Sequence, residues 1–312
     1  MYCPRLDHFV RLNPGGTVSR CGHMVNPPQF NSLGEMDASE WLATIKNLDN
    51  PKECIRCQQT EQINNTSIRL NAIEFDKTQT RSDYLTVGGV LDNICNSACL
   101  TCNEQLSTKI GSLKSKTYSI VNNSDAFWNL PLDRVAHLDI NGGEPSASKN
   151  YKYILANLPD SITSVRLNTN CSTVLTELEP LVARGVKVTV TVSLDGIGAV
   201  HDHVRWPIKW DLFYQNLMLY KSMALYELNT WTTVSALNIG DFENIKQFVV
   251  SNGLPHSWAL LQTPDPINVK YANSMTQPYV DIIPGQVAVD RNNQFELDEF
   301  VKNQHQLRGI DA

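Results

Sequence analysis

Residues 94–102, ICNSACLTC, place Cys95, Cys99 and Cys102 at a spacing of C-x3-C-x2-C, with no fourth cysteine nearby. A structural zinc site takes four ligands in a closed tetrahedron, and a disulfide takes two thiols. Three thiolates suit a metal centre that keeps one position open. Such a loop can bind three irons of a cubane cluster, leaving the fourth iron to a small chelating molecule. An electron can then pass from cluster to bound molecule at bonding distance. Two other readings of the same residues are a zinc site that borrows its fourth ligand from elsewhere, and three buried thiols with no function.

Four further cysteines, Cys3, Cys21, Cys54 and Cys57, lie in the first sixty residues, and Cys171 stands alone. Four thiols with nothing missing suit a closed site, either all-cysteine zinc or a fully ligated cluster. His8 and His23 are additional donors by type, but with four cysteines present they read as bystanders.

The elements that must position these residues are legible from about Tyr84 onward, where strand-like and helix-like segments alternate. YLTVGGVLDNI (84–94) reads as a strand, followed by a polar helix running to about Leu113. VAHLDI (135–140) is a strand ending at NGGEP, and YKYILANL (151–158) is helical. ITSVRLNTN (162–170) is a strand, and STVLTELEPLVARG (172–185) is a helix with a Ser cap and a closing Gly. VKVTVTVSLDG (186–196) is the clearest strand, rich in β-branched residues. A helix around 210–224, the strand TWTTVSAL (230–237), the helix FENIKQFVVSNG (242–253) and the strand SWALLQT (257–263) complete the run. Connections this short predict a parallel α/β sheet, doubly wound or a complete or partial barrel. In both architectures active sites form at the carboxyl ends of the strands. Cys95, NGGEP, NTNC and SLDG all fall at those ends. This convergence points to an enzyme.

The first eighty residues are turn-rich, with one expected helix at DASEWLATIKNL (37–48) and metal ligation as a means of holding the segment. The tail beyond about Asp265 has no strong period. The expected organisation is therefore 1–80, a cysteine-rich module; 81–265, the α/β unit; and 266–312, a C-terminal extension. Trp206, Trp210, Trp231 and Trp258 read mainly as packing residues.

With 312 residues, 42% of them hydrophobic and 19% charged, the composition is that of a soluble globular protein. A net charge of −6 gives no general footprint for nucleic acid or an anionic membrane. MYCPRLDHFV has no apolar run of signal-peptide length and no later segment approaches a membrane span, so a cytoplasmic location is expected. In that compartment eight cysteines do not read as a disulfide framework.

CNSACLTC resembles the cluster-binding loop of the radical S-adenosylmethionine (radical SAM) enzymes, and NGGEP resembles their motif for the amino group of SAM. The resemblance covers about residues 84 to 263. It implies a partial (β/α)6 barrel and a 4Fe–4S cluster on Cys95, Cys99 and Cys102, with SAM chelating the fourth iron. Reductive cleavage would yield methionine and a 5′-deoxyadenosyl radical that abstracts a substrate hydrogen atom. By the same resemblance Gly142, Gly143, Glu144 and Pro145 form the amino-group site. SLDG followed by HDHVR is similar to the peptide-modifying branch, in which Ser193 would bond SAM and Arg205 would pair with its carboxylate. Asn170 would contact the ribose or carboxylate, and Asp195 would act on the same face or cap the next turn. Two departures stand out: Thr101, where the family often has a bulky residue, and Cys171, where it commonly has glycine. Cys171 is thereby a candidate hydrogen donor, or a small buried residue.

C-x12-G-x4-C at Cys3, Gly16 and Cys21, followed by Cys54-x2-Cys57, resembles the SPASM/twitch auxiliary-cluster module, here ahead of the barrel instead of after it. The resemblance implies a second 4Fe–4S cluster, which would accept an electron from substrate. The expected activity is hydrogen abstraction and oxidation of a peptide side chain or a small alcohol or amine, with an electron donor such as flavodoxin or ferredoxin. The alternatives are a redox-neutral epimerase using Cys171, and a non-catalytic iron–sulfur or zinc protein.

Overall fold

The computed structural model describes residues 2–261, 264–269 and 294–310. Eight strands form one sheet: β1 (Phe9–Leu12), β2 (Val18–Ser19), β3 (Leu85–Gly89), β4 (Val135–Ile140), β5 (Ser164–Thr169), β6 (Lys187–Ser193), β7 (Glu227–Val234) and β8 (His256–Leu260). Their order is β2-β1-β3-β4-β5-β6-β7-β8. From β3 to β8 every neighbour is parallel and follows in chain order. Six consecutive strands linked by crossovers make the partial barrel expected from the sequence; on the outer side of β2, Val18 exchanges backbone hydrogen bonds with Phe30.

Strand periodicity divides the two faces. Val188, Val190 and Val192 of β6 are fully buried, in register with Val165, Leu167 and Thr169 of β5. The three valines, Val165 and Leu167 form the main core with Leu138, Tyr151, Ile154, Phe213 and Leu217. Each buried valine or leucine contributes roughly 1.5–3 kcal/mol. The opposite face carries Ser164, Arg166, Thr189 and Thr191. A hydrophobic face must be covered, whereas a polar one is free to line a cavity.

Several elements differ from the sequence expectation. The helix expected over 172–185 is shorter, Leu178–Ala183, because Ser172 is engaged elsewhere. Its N–H bonds the side-chain oxygen of Asn170 and its Oγ accepts from Asn96. The helix expected directly after Cys99 starts at Thr108, capped by Ser107, since the preceding residues are held as a loop. The first eighty residues are more ordered than their turns suggest. They supply β1, parallel to β3, and β2, antiparallel to β1. They also form helices Leu33–Asp37, Glu40–Lys46, Ile55–Asn64 and Ile68–Asp76. Leu6, Cys21, Met24, Leu42 and Ile45 make a small separate core beside Cys3 and Cys54.

The expectation for the tail falls partly on residues 270–293, which lie outside the described residues. Beyond them Gln294–Arg308 is a helix, whose Leu297 packs with Leu100, Leu261 and Ile267. Among the described residues no helix is long and apolar enough to cross a membrane.

Candidate functional site

The cysteine loop leaves the carboxyl end of β3 and is held by its backbone. Ala98 N–H donates to the Trp206 carbonyl at 2.8 Å and Leu100 N–H to the Val204 carbonyl at 2.9 Å. These two bonds bracket Arg205. Cys95 N–H donates to Thr108 Oγ1 at 3.1 Å, and Ser107 Oγ donates to the Ser97 carbonyl at 2.6 Å. Cys99 is buried; Cys95 and Cys102 are half-buried, and all three are free thiols. Burial, with the nearby Cys99 second, pushes Cys95 up to about 12 and Cys102 up to about 11. Three mutually sensed, neutral thiols are what a metal meets when it displaces protons to bind. Among the described residues no three His, Cys, Asp or Glu side chains converge tightly enough to hold one metal ion. In a cubane cluster each thiolate binds a different iron, so the three need not converge on one ion; the loop's backbone hydrogen bonds are what hold Cys95, Cys99 and Cys102 on one turn.

NGGEP follows β4 and abuts this loop. Gly142 and Gly143 have φ of +87° and +64°, in the left-handed region. A Cβ on Gly143 would lie 2.8 Å from the Asp92 carbonyl and 2.9 Å from the Ile94 carbonyl. Glu144 N–H donates to Ile94 O at 2.7 Å, locking turn to loop. Pro145 is buried and opens the short turn Pro145–Ala147, which the Glu144 side chain caps.

Glu144 is 1% exposed and its carboxylate already holds four donors. Oε1 accepts from Ser146 N–H at 3.1 Å, Ser146 Oγ at 2.7 Å and Thr169 Oγ1 at 2.8 Å. Oε2 accepts from Asn170 N–H at 2.6 Å, so the open acceptor capacity is on Oε2. The Glu144 carboxylate thus ties the glycine turn to the end of β5. The Asn170 amide is likewise engaged: Nδ2 donates to Asn96 Oδ1 at 2.9 Å and to Ser97 Oγ at 2.8 Å. Asn170 faces the cysteine loop with its side chain.

After β6 the chain contributes Ser193, half-buried at the strand end, and Asp195, 1% exposed. Asp195 Oδ2 accepts from Arg205 Nη1 at 2.9 Å, and Oδ1 accepts from Thr233 N–H at 2.8 Å. Burial alone would lower Arg205, but Cys99 and Asp195 outweigh it and hold the guanidinium above its ordinary value. Arg205 Nε is buried with no hydrogen-bond partner among the described residues. A spare donor beside three thiols fits an anionic chelator on a cluster; soft thiolates and close-packed glycines fit the cluster itself.

Cys171 adopts φ +60°, which accounts for the glycine usual at such a position. Its side chain is fully buried in the main core, with Sγ 3.7 Å from the Phe213 carbonyl, and burial pushes its thiol far up.

Cys3, Cys21, Cys54 and Cys57 line a second, small cavity with Arg5, His23, Met24, Ile68 and Arg69. Burial pushes Cys3 up to about 11 and Cys54 up to about 12, each further raised by its neighbouring thiols. The cavity measures about 20 Å³, the space of one water, so a four-iron cluster would require the thiols to spread. All-thiolate donors fit zinc or iron–sulfur.

A larger cavity of about 390 Å³ lies over the polar face of the sheet. Its floor includes Thr86, His137, Asp139 and Arg166; Arg5 and Phe75 of the N-terminal segment close it from above. Arg5 and Ile68 line both cavities, which makes the two neighbours.

Two participants were not marked by sequence reasoning. Asp92 is fully buried; its Oδ1 accepts from Ile94 N–H at 3.0 Å and Oδ2 from Ser148 Oγ. The turn-forming pair Asp92-Asn93 before the loop was the available signal. Arg308 reaches the loop from the far end of the chain, and no local pattern announces it.

No family model matches the chain, and no curated protein does. Some solved structures are similar in fold. The chain is similar to native anSMEcpe with bound AdoMet at 15% identity and a TM-score of 0.42, covering 73% of this chain. It spans only 62% of that protein's length. It is also similar to Streptococcus suis SuiB bound to S-adenosylmethionine, at 13% identity and a TM-score of 0.45, over 97% of this chain and 70% of that one. SuiB bound to its precursor peptide SuiA gives 14% identity, a TM-score of 0.44, and coverage of 98% and 70%.

Proposed function

We propose that this protein is a radical SAM enzyme that oxidises a peptide side chain or a small alcohol or amine. One observation carries the reading: four consecutive parallel strands, β3 to β6, deliver Cys95, the Gly142-Gly143 turn, Asn170 and Asp195 to one end of the sheet. Arg205, paired with Asp195, joins them with a free Nε. An electron carrier has no use for such a cradle.

Cys95, Cys99 and Cys102 would hold a 4Fe–4S cluster. The backbone of Gly142–Glu144 would receive the amino group of SAM, Arg205 Nε its carboxylate, and Ser193 a further polar contact. When bound there and supplied with one electron, a cluster would provide the reductive cleavage of SAM to methionine and a 5′-deoxyadenosyl radical, and so the abstraction of one hydrogen atom from the substrate. The substrate then loses a second electron and a proton, completing a two-electron oxidation. The four front cysteines, holding a second cluster, would take that electron. A flavodoxin- or ferredoxin-type protein would supply the first electron.

Redox-neutral epimerisation through Cys171 is the second reading. Full burial of its thiol against Phe213 weighs against it.

Anaerobic reconstitution with iron and sulfide, followed by SAM and dithionite, tests the proposal. About eight irons per chain and release of 5′-deoxyadenosine are expected. About four irons with cleavage would assign the front cysteines to zinc or structure and remove the oxidation step. Iron loading with neither SAM binding nor cleavage would overturn the enzyme reading.

A further inference from the structure

We propose that Arg308, on the C-terminal helix, is a positioning residue for the cysteine loop whose positive charge raises the reduction potential of a cluster held there. The proposal rests on the cluster assignment above.

Arg308 is 6% exposed. Its Nη2 donates to the Ala98 carbonyl at 2.6 Å, inside the loop between Cys95 and Cys99. Its Nη1 donates to the His203 carbonyl at 2.9 Å, one residue before the backbone that brackets Arg205. One guanidinium therefore clamps the cysteine loop to the Arg205 segment. Its carbon centre also lies 5.6 Å from the centroid of the Trp206 ring.

Burying a cation is costly unless an anion compensates it. Both hydrogen bonds of Arg308 go to neutral carbonyls, and Nε has no partner among the described residues. Neither carbonyl carries a charge that would offset the buried guanidinium. Arg205 is already matched by Asp195, so Arg308 is the cation whose counter-charge would be the thiolate-ligated cluster. Three thiolates leave a four-iron cluster anionic, and reduction adds one more negative charge. A fixed neighbouring cation favours that step, because cluster potential follows net charge and hydrogen bonding. Joining this clamp to the helix Gln294–Arg308 also makes docking of the chain's end part of the site's assembly.

The experiment is a redox titration of the reconstituted full chain, followed by the paramagnetic signal that responds to added SAM. Arg308→Gln should move the midpoint to more negative potential, whereas Arg308→Lys should stay near wild type. Leu297→Ala, which loosens the helix but keeps the charge, should lower thermal stability and leave the midpoint in place. Should Arg308→Gln not fold, Arg308→Met keeps the apolar stem against Trp206 and carries the same expectation. An unchanged midpoint in the neutral variants overturns the proposal and leaves the cluster assignment intact. A shift in Leu297→Ala equal to theirs overturns it too, by assigning the effect to docking. Wild-type protein that binds no SAM-responsive cluster would instead bring down the cluster assignment, and this inference with it.

Discussion

Arg205 Nη1 donates to Asp195 Oδ2 at 2.9 Å, with Arg205 9% and Asp195 1% exposed. The bond joins the end of β6 to the segment whose carbonyls hold Ala98 and Leu100. It therefore serves both the fold and the cysteine loop.

Removing one partner of such a pair leaves the other charge buried and costs about 3–5 kcal/mol. Arg205→Gln should show that loss in urea unfolding and should also abolish SAM binding. The double change Arg205→Met with Asp195→Leu should recover most of the stability without recovering SAM affinity. If the double variant binds SAM normally, Arg205 has no part in the ligand site.

Gly143→Ala places a methyl group against the Asp92 and Ile94 carbonyls at a positive φ. Left-handed strain alone costs an ordinary residue roughly 1–2 kcal/mol. The turn must also retreat from the loop, so SAM affinity should fall by about tenfold or more, measured by equilibrium dialysis on reconstituted protein. An unaltered affinity would separate NGGEP from the ligand.

Cys171→Ala should leave 5′-deoxyadenosine formation within about twofold of wild type, with a stability loss of roughly 1–2 kcal/mol from the vacated volume. The discriminating readout is solvent deuterium. Deuterium incorporated by wild type and lost in the variant would make Cys171 the hydrogen donor after all.

His201 is fully buried, and neither ring nitrogen has a hydrogen-bond partner among the described residues. Burial, with Arg205 second, lowers its pKa to about 3. In the unfolded chain a histidine takes its proton near pH 6.5, whereas the folded one resists until about pH 3. The unfolded state therefore binds more protons across that window. Stability should be complete above about pH 6.5 and fall as pH drops toward 3. His137, lowered to about 4 by burial, adds a loss of the same sign. His201→Phe should flatten part of the decline in urea midpoint between pH 7 and pH 5; a variant with the wild-type slope would exclude His201 as its source.

The sequence by itself determined the chemistry on offer and the ends at which it is offered. C-x3-C-x2-C is a local spacing, NGGEP a local turn, and KVTVTVS a period-two pattern whose valines can only face a core. Such features are set within one or two elements, and their order along the chain becomes their order in a parallel sheet. β1 escaped notice because four residues, Phe9–Leu12, are too few to show a period. What only the tertiary structure decided is how each side chain spends its bonding capacity. Glu144 is engaged by Ser146, Thr169 and Asn170; Asn170 turns to the cysteine loop; Cys171 turns into the core. Arg205 finds Asp195, and Arg308 reaches Ala98 across 210 positions of sequence. Those choices depend on strand register and on which helix docks where. Packing of the whole chain fixes both, and no window of the sequence contains them.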